Sequence, residues 1–184
     1  MAQQDDCFFN IPCSYQIYAE PLHAPASEEL LMSQMPEAFK LLRNIAEQEQ
    51  NVFLHISQLP KGDIISEYLM LQAKKVDLVL HQQLAQIDYR GMKCQGTHFG
   101  GSHLSFSMPE QFRVNDAQEL ALHLLIQNHN IAVYCFAKVL SFSTENKQHS
   151  IRAEIVQIGE AEQEQLIRAS LQQQQHILKS RKKH

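Results

Sequence analysis

Most of what is missing from this sequence is what enzymes and membrane proteins display. The 184 residues include no tryptophan, six glycines and six prolines. No apolar run approaches the roughly 18 residues that a membrane span needs. The phosphate loop, the Rossmann fingerprint and the Gly-x-Ser-x-Gly elbow are all absent, so three large catalytic classes have no sequence support. The four cysteines, Cys7, Cys13, Cys94 and Cys135, are too scattered for a disulfide scaffold. The first six residues, Met-Ala-Gln-Gln-Asp-Asp, have no basic stretch leading into an apolar one. No secretory signal is therefore expected, and the thiols are expected to be reduced in a cytoplasm.

Charge is also modest. Sixteen Lys and Arg stand against twenty Asp and Glu, a net −4. That gives no field to draw a nucleic acid polymer, and no membrane insertion is expected. Ten histidines are present without a His-Glu-x-x-His spacing. Cys94-x3-His98-x4-His103 could offer a thiolate and two imidazoles, but the spacing fits no common zinc module and has no evident fourth ligand. No metal is assigned. The acids at Glu28, Glu29 and 160–164 suit helix starts, so no carboxylate pair is left for catalysis.

What is present is periodicity. Leu104, Phe106 and Met108 alternate with His103, Ser105 and Ser107, the pattern of a half-buried strand. Gly100-Gly101 stand before it, where glycine allows positive φ or a close backbone approach. Strands are expected over 8–19, 92–98, 102–108, 118–127, 131–142 and 150–158. Pro12 suggests a bulge or an edge in the first. Leu120, Leu122, Leu124 and Ile126 share one face of the fourth. Asn128-His129-Asn130 and residues 144–148 read as hairpin turns. Six strands suffice to close a small barrel and remove its edges.

Helical spacing occupies the gap between the first two strands. Ser27 reads as an N-cap, Pro36 as a restart, and Asp63 as the cap of a long helix over about 64–88. A heptad places Ser66, Ala73, Leu80 and Ile87 at a, with Leu69, Val76 and Gln83 at d. Leu71, Leu78 and Leu84 lie off this seam. Such a helix is apolar on more than one side, and a monomer would leave one of those sides uncovered. A last helix follows Gly159, and the Lys179–Lys183 cations sit in or beyond its final turn. The expected fold class is α+β: a six-stranded antiparallel barrel, an inserted helical segment at 27–88 and a C-terminal helix. The chain, 1–184, is read as one domain, with the barrel core and last helix over 90–180.

This order of elements over about 90–180 resembles the PilZ family, whose typical members bind cyclic di-GMP. They do so with an Arg-x-x-x-Arg segment near the domain start and an Asp/Asn-x-Ser-x-x-Gly turn. The turn maps here onto Gly96-Thr97-His98-Phe99-Gly100-Gly101, where only Gly101 keeps the family residue. The first arginine of the chain is Arg43, so the pair is missing where the family has it. Gly101 with Arg90 and Lys93 are the remaining nucleotide candidates; Arg113 and Arg152 are more remote ones. An atypical PilZ branch, with inserted helices, degraded motifs and self-association, is the better match. The resemblance implies a non-enzymatic adaptor in a cyclic di-GMP-linked pathway, acting on another protein of a signalling or motility system. The apolar excess of the long helix predicts a homo-oligomer, most simply a dimer, held through residues 27–88 with Leu69, Val76, Leu80 and Ile87 at the interface; the resemblance implies a tetramer as the alternative. The alternative is a true cyclic di-GMP receptor with a displaced site; otherwise no cofactor is expected.

Overall fold

The computed structural model describes residues 11–181 except Glu110, Val114, Asn146 and Lys147. Cys7, the expected strand start at 8–10, the middle of the 144–148 turn and the terminal Lys182, Lys183 and His184 lie outside the described residues. The element order is β1 (Ile11–Pro21), α1 (Glu28–Gln34), α2 (Glu37–Ser57), α3 (Gly62–Leu84), β2 (Met92–Phe99), β3 (His103–Pro109), β4 (Glu119–Ile126), β5 (Ile131–Glu145), β6 (Gln148–Gln157) and α4 (Glu160–Arg181).

The six strands close into an antiparallel barrel in the order β1-β2-β3-β6-β5-β4. Closure joins β1 to β4, with Ile17 opposite Leu124. The register of β1 against β2 shifts between Pro12 and Tyr15. This is the bulge that Pro12, with no N–H to give, demands. Alternation then fixes the interior. In β3, Leu104, Phe106 and Met108 are buried while His103, Ser105 and Ser107 are half-exposed.

β4 departs from simple alternation, because seven of its eight residues are buried. Leu120, Leu122, Leu124 and Ile126 fill the barrel. On the outer side Ala121 and Leu125 meet a second apolar cluster, formed with Leu31, Met35, Phe39, Leu84 and Tyr89. The helical insertion thus covers one wall of the barrel. α4 covers another part, since its Leu166 and Ala169 join the interior cluster.

The helix starts differ in quality. Ser27 Oγ accepts from the Leu30 N–H at 3.2 Å, so it caps α1. Pro36 occupies the N-cap position of α2, one residue before the place expected. Asp63 is not a cap: α3 begins at Gly62, with Lys61 at the cap position in the left-handed region, φ 63°. Asp63 falls in the first turn, where its charge still suits the helix dipole. No helix among the described residues is long and apolar enough to cross a membrane.

Candidate functional site

The turn between β2 and β3 is shaped by packing. A Cβ on Gly96 would collide with the Tyr15 ring. That ring is held in place by its hydroxyl, which donates to the carbonyls of His98 at 3.0 Å and Ser105 at 3.3 Å. A Cβ on Gly101 would collide with Ile167 Cγ1 of α4. The Gly101 carbonyl accepts from Gln163 Nε2 at 3.2 Å. Both glycines therefore allow close approach. Among the described residues the only glycine with positive φ is Gly91, at 96°. A Cβ there would lie 2.6 Å from the Ala19 carbonyl oxygen. Of the two uses expected of Gly100-Gly101, positive φ or a close approach, Gly101 shows the close approach, and the positive φ falls at the isolated Gly91.

The three nucleotide candidates are not brought together. Gly101 is buried under α4. Lys93 is exposed at the start of β2, with its ammonium 5.8 Å from the Tyr18 ring centre. It borders a groove with Gln16, Gln95 and Gln148. Lys93 and Gly101 lie at opposite ends of β2, whose stretch from Lys93 to Phe99 alone spans roughly 20 Å at about 3.3 Å per residue. Arg90 borders a different cleft. Arg113 is exposed and Arg152 lies half-buried on β6. The Cys94 thiol belongs to the barrel interior, and His103 Nδ1 is 2.8 Å from Ser102 Oγ. Among the described residues no three His, Cys, Asp or Glu side chains are grouped to hold a metal.

The cleft at Arg90 has a volume of about 770 Å³. It lies where the end of β1, the α1–α2 junction, the 87–90 connection and the outer wall of β4 and β5 meet. Its depth is aromatic. His123 stacks on Tyr89 with ring centres 4.9 Å apart and sits 4.7 Å from Tyr134, its register partner on β5. Phe39 of α2 packs on Tyr89 at 5.7 Å and on His123 at 5.8 Å. Burial pushes His123 down from 6.5 to about 4, so it is neutral near pH 7. Burial pushes Tyr89 and Tyr134 up to about 12, with Tyr18 adding in the first case and the Glu20 carboxylate in the second. The Tyr89 hydroxyl and His123 Nδ1 are buried with no hydrogen-bond partner among the described residues. Sequence reasoning missed this group because its members come from α2, the 87–90 connection, β4 and β5. The one available signal was apolar or aromatic character on both faces of β4 and β5.

The outward side of the helical insertion is the second candidate surface. Gly62, Ser66 and Leu84 are buried, with Ala73 and Leu80 half-buried, so this stripe of α3 faces inward. Leu80 packs against the second apolar cluster. Leu69, Val76 and Ile87 are exposed. The structure thus separates Leu80 from the other three expected interface residues. Nine large apolar side chains of α3, from Ile64 to Val79, are 43–68 % exposed.

No protein-family model matches the chain, and no curated protein does. Solved structures similar to it include a pathogenic protein from Xanthomonas campestris, a tetrameric PilZ domain self-assembled via an unusual helical bundle. The identity is 15 %, with 92 % of this chain and 90 % of that chain covered and a TM-score of 0.48. Another is the inhibitor of motility MotI/DgrA of Bacillus subtilis, at 10 % identity, covering 46 % of this chain and 43 % of that one, TM-score 0.43.

Proposed function

We propose that this chain is a non-enzymatic, PilZ-like signalling adaptor of a bacterial cytoplasm, in a pathway linked to cyclic di-GMP. It works by binding other proteins and further copies of itself. The observation that carries this reading is the uncovered apolar face of α3. Burying each exposed leucine contributes roughly 1.5–3 kcal/mol, so three or four such contacts outweigh much of the cost of docking. Charge fits self-pairing. Glu67 and Lys75 lie four residues either side of Leu71, all exposed on one stripe. An antiparallel pair crossing at Leu71 would set each Glu67 against the partner copy's lysine.

Against nucleotide binding in the family manner stand the position of the Tyr15 ring over Gly96 and the burial of Gly101 under α4. The dispersed Arg90 and Lys93 add to this, because an anion with two phosphodiester groups needs converging cations. The test has two arms. Light scattering after gel filtration at about 10 μM, above the dissociation constant of a stable interface, is expected to give at least twice the 21.2 kDa monomer mass. Leu78→Asp, on the exposed side, is expected to return the monomer; a monomeric wild type at that concentration overturns self-association. Calorimetric titration with cyclic di-GMP is expected to show no heat at micromolar concentration. Saturable heat lost in Arg90→Ala would instead make the chain a receptor with a displaced site.

A further inference from the structure

We infer that the cleft between the barrel and the helical insertion is a binding site for a small organic cation, an alkylamine or alkylguanidine. Its volume of about 770 Å³ falls within the roughly 300–1,000 Å³ of small-molecule sites. Two buried polar side chains line it with an atom unpartnered among the described residues: Tyr89, 9 % exposed, and His123, 3 % exposed. Buried polar atoms usually find partners, so two unpaired ones in the same cleft are unusual.

The hydrogen-bonding inventory selects the ligand. A neutral histidine presents one ring nitrogen as an acceptor, and a tyrosine hydroxyl accepts as well as donates. At the rim the Glu20 and Asp88 carboxylates only accept. No ion pair joins either of them to another described residue. With the two lining histidines, His23 and His123, counted as neutral, two carboxylates against the single Arg90 guanidinium give the lining one net negative charge. Ammonium and guanidinium groups are donor-only and cationic, so they answer every one of these acceptors. The apolar stem of such a ligand would lie along Tyr134 and Tyr89, and aromatic walls favour cations. An anion would meet the two carboxylates instead.

The probes are agmatine and putrescine, titrated calorimetrically into the full-length chain at millimolar concentration, with thermal unfolding as a second readout. Saturable heat and a raised melting temperature are expected. Glu20→Gln should weaken binding by about tenfold, the loss of one charge-assisted contact. Arg90→Ala, an exposed change that leaves packing intact, should tighten it. The signs are diagnostic. If the cleft takes anions, Arg90→Ala weakens and Glu20→Gln strengthens binding of inorganic phosphate, and the inference falls. It falls equally if neither amine gives heat or a thermal shift, or if both variants bind the amines as the wild type does. Tyr89→Phe keeps the ring and removes the hydroxyl; unchanged amine affinity there would remove the buried pole of the site and overturn its geometry.

Discussion

In β3, Leu104, Phe106 and Met108 are at most 1 % exposed, whereas Leu71, Val76 and Leu78 of α3 are 52–65 % exposed. The two segments are comparably apolar, so composition does not separate them. Geometry does. A closed barrel has one inside, and a strand that alternates with period two sends half its side chains there. A helix on a barrel wall can bury only one stripe. α3 carries apolar residues around more than one stripe, and among the described residues nothing covers the second. The barrel buries its apolar residues within the chain, while α3 keeps an apolar stripe exposed.

The largest expected effect tests that contrast directly. Phe99 is fully buried in the barrel interior. Phe99→Ala should cost about 3–5 kcal/mol in urea unfolding, from lost burial and the cavity left behind. Leu71→Ala, measured dilute enough to keep the chain monomeric, should stay within about 0.5 kcal/mol of wild type. A comparable loss at both sites would mean that α3 buries its outer stripe within one chain, and the comparison would break.

The wall between the two regions has its own signature in pH. His123 is held at about 4 by burial, against 6.5 when exposed. Above pH 6.5 both folded and unfolded chains leave it neutral, and its contribution to stability is full. As pH falls from 6.5 to about 4 the unfolded chain takes the proton first, so stability is lost across that window, by about 3 kcal/mol. His81 and His129 are lowered by burial too and act in the same direction. Denaturant midpoints at pH 7.5 and pH 4.5 should therefore differ strongly, and His123→Phe should remove the larger part of the slope. A slope unchanged in that variant would place the effect elsewhere.

Legibility in the sequence followed the same division. The six strands were readable to within a few residues among those described, because period two survives wherever one face meets the interior. Their closure followed from their number. The helices were readable in place but not in orientation. The heptad set Leu80 on one side with Leu69, Val76 and Ile87, yet of these four only Leu80 packs against the second apolar cluster. The heptad cannot choose, since which stripe turns inward depends on Phe39 and Tyr134 from other elements. The cleft was less legible still. Tyr89, His123 and Tyr134 are separated by up to 45 positions, and no local pattern announces a contact made by strand pairing. At Gly101 the absent side chain makes room for Ile167 of α4, a contact that no local pattern around 100–101 specifies.

Two glycines sharpen the distinction between a rigid and a yielding neighbour. Gly96→Ala would push a methyl into the Tyr15 ring, which is fixed by two hydrogen bonds inside the barrel. Gly101→Ala would meet Ile167, which is 40 % exposed and free to turn toward solvent. Overpacking costs about 1–3 kcal/mol. The first variant should lie near the upper end of that range and the second near the lower. Thermal unfolding of the pair decides it, and a reversed order would mean that α4 holds Ile167 more firmly than the barrel holds Tyr15.

The smallest effect concerns how the hairpin is entered. Lys61 stands at the cap position of α3 with φ 63° and no side-chain hydrogen bond to the helix start. Left-handed backbone costs a residue with a Cβ about 1–2 kcal/mol. Glycine removes that strain but adds freedom to the unfolded chain, worth about 0.4–1 kcal/mol the other way. The balance favours Lys61→Gly by roughly 0.5 kcal/mol, and glycine is also an acceptable N-cap. Asn130, at φ 51° in the β4–β5 turn, is the control within the barrel. Asparagine already tolerates that region, so Asn130→Gly should change little. Urea midpoints read at unchanged slope report both. A rise at 61 with none at 130 would show that the barrel turn carries its required residue while the hairpin entry does not. A fall at 61 would mean that the lysine stem packs against α2 or α3 strongly enough to outweigh its backbone strain.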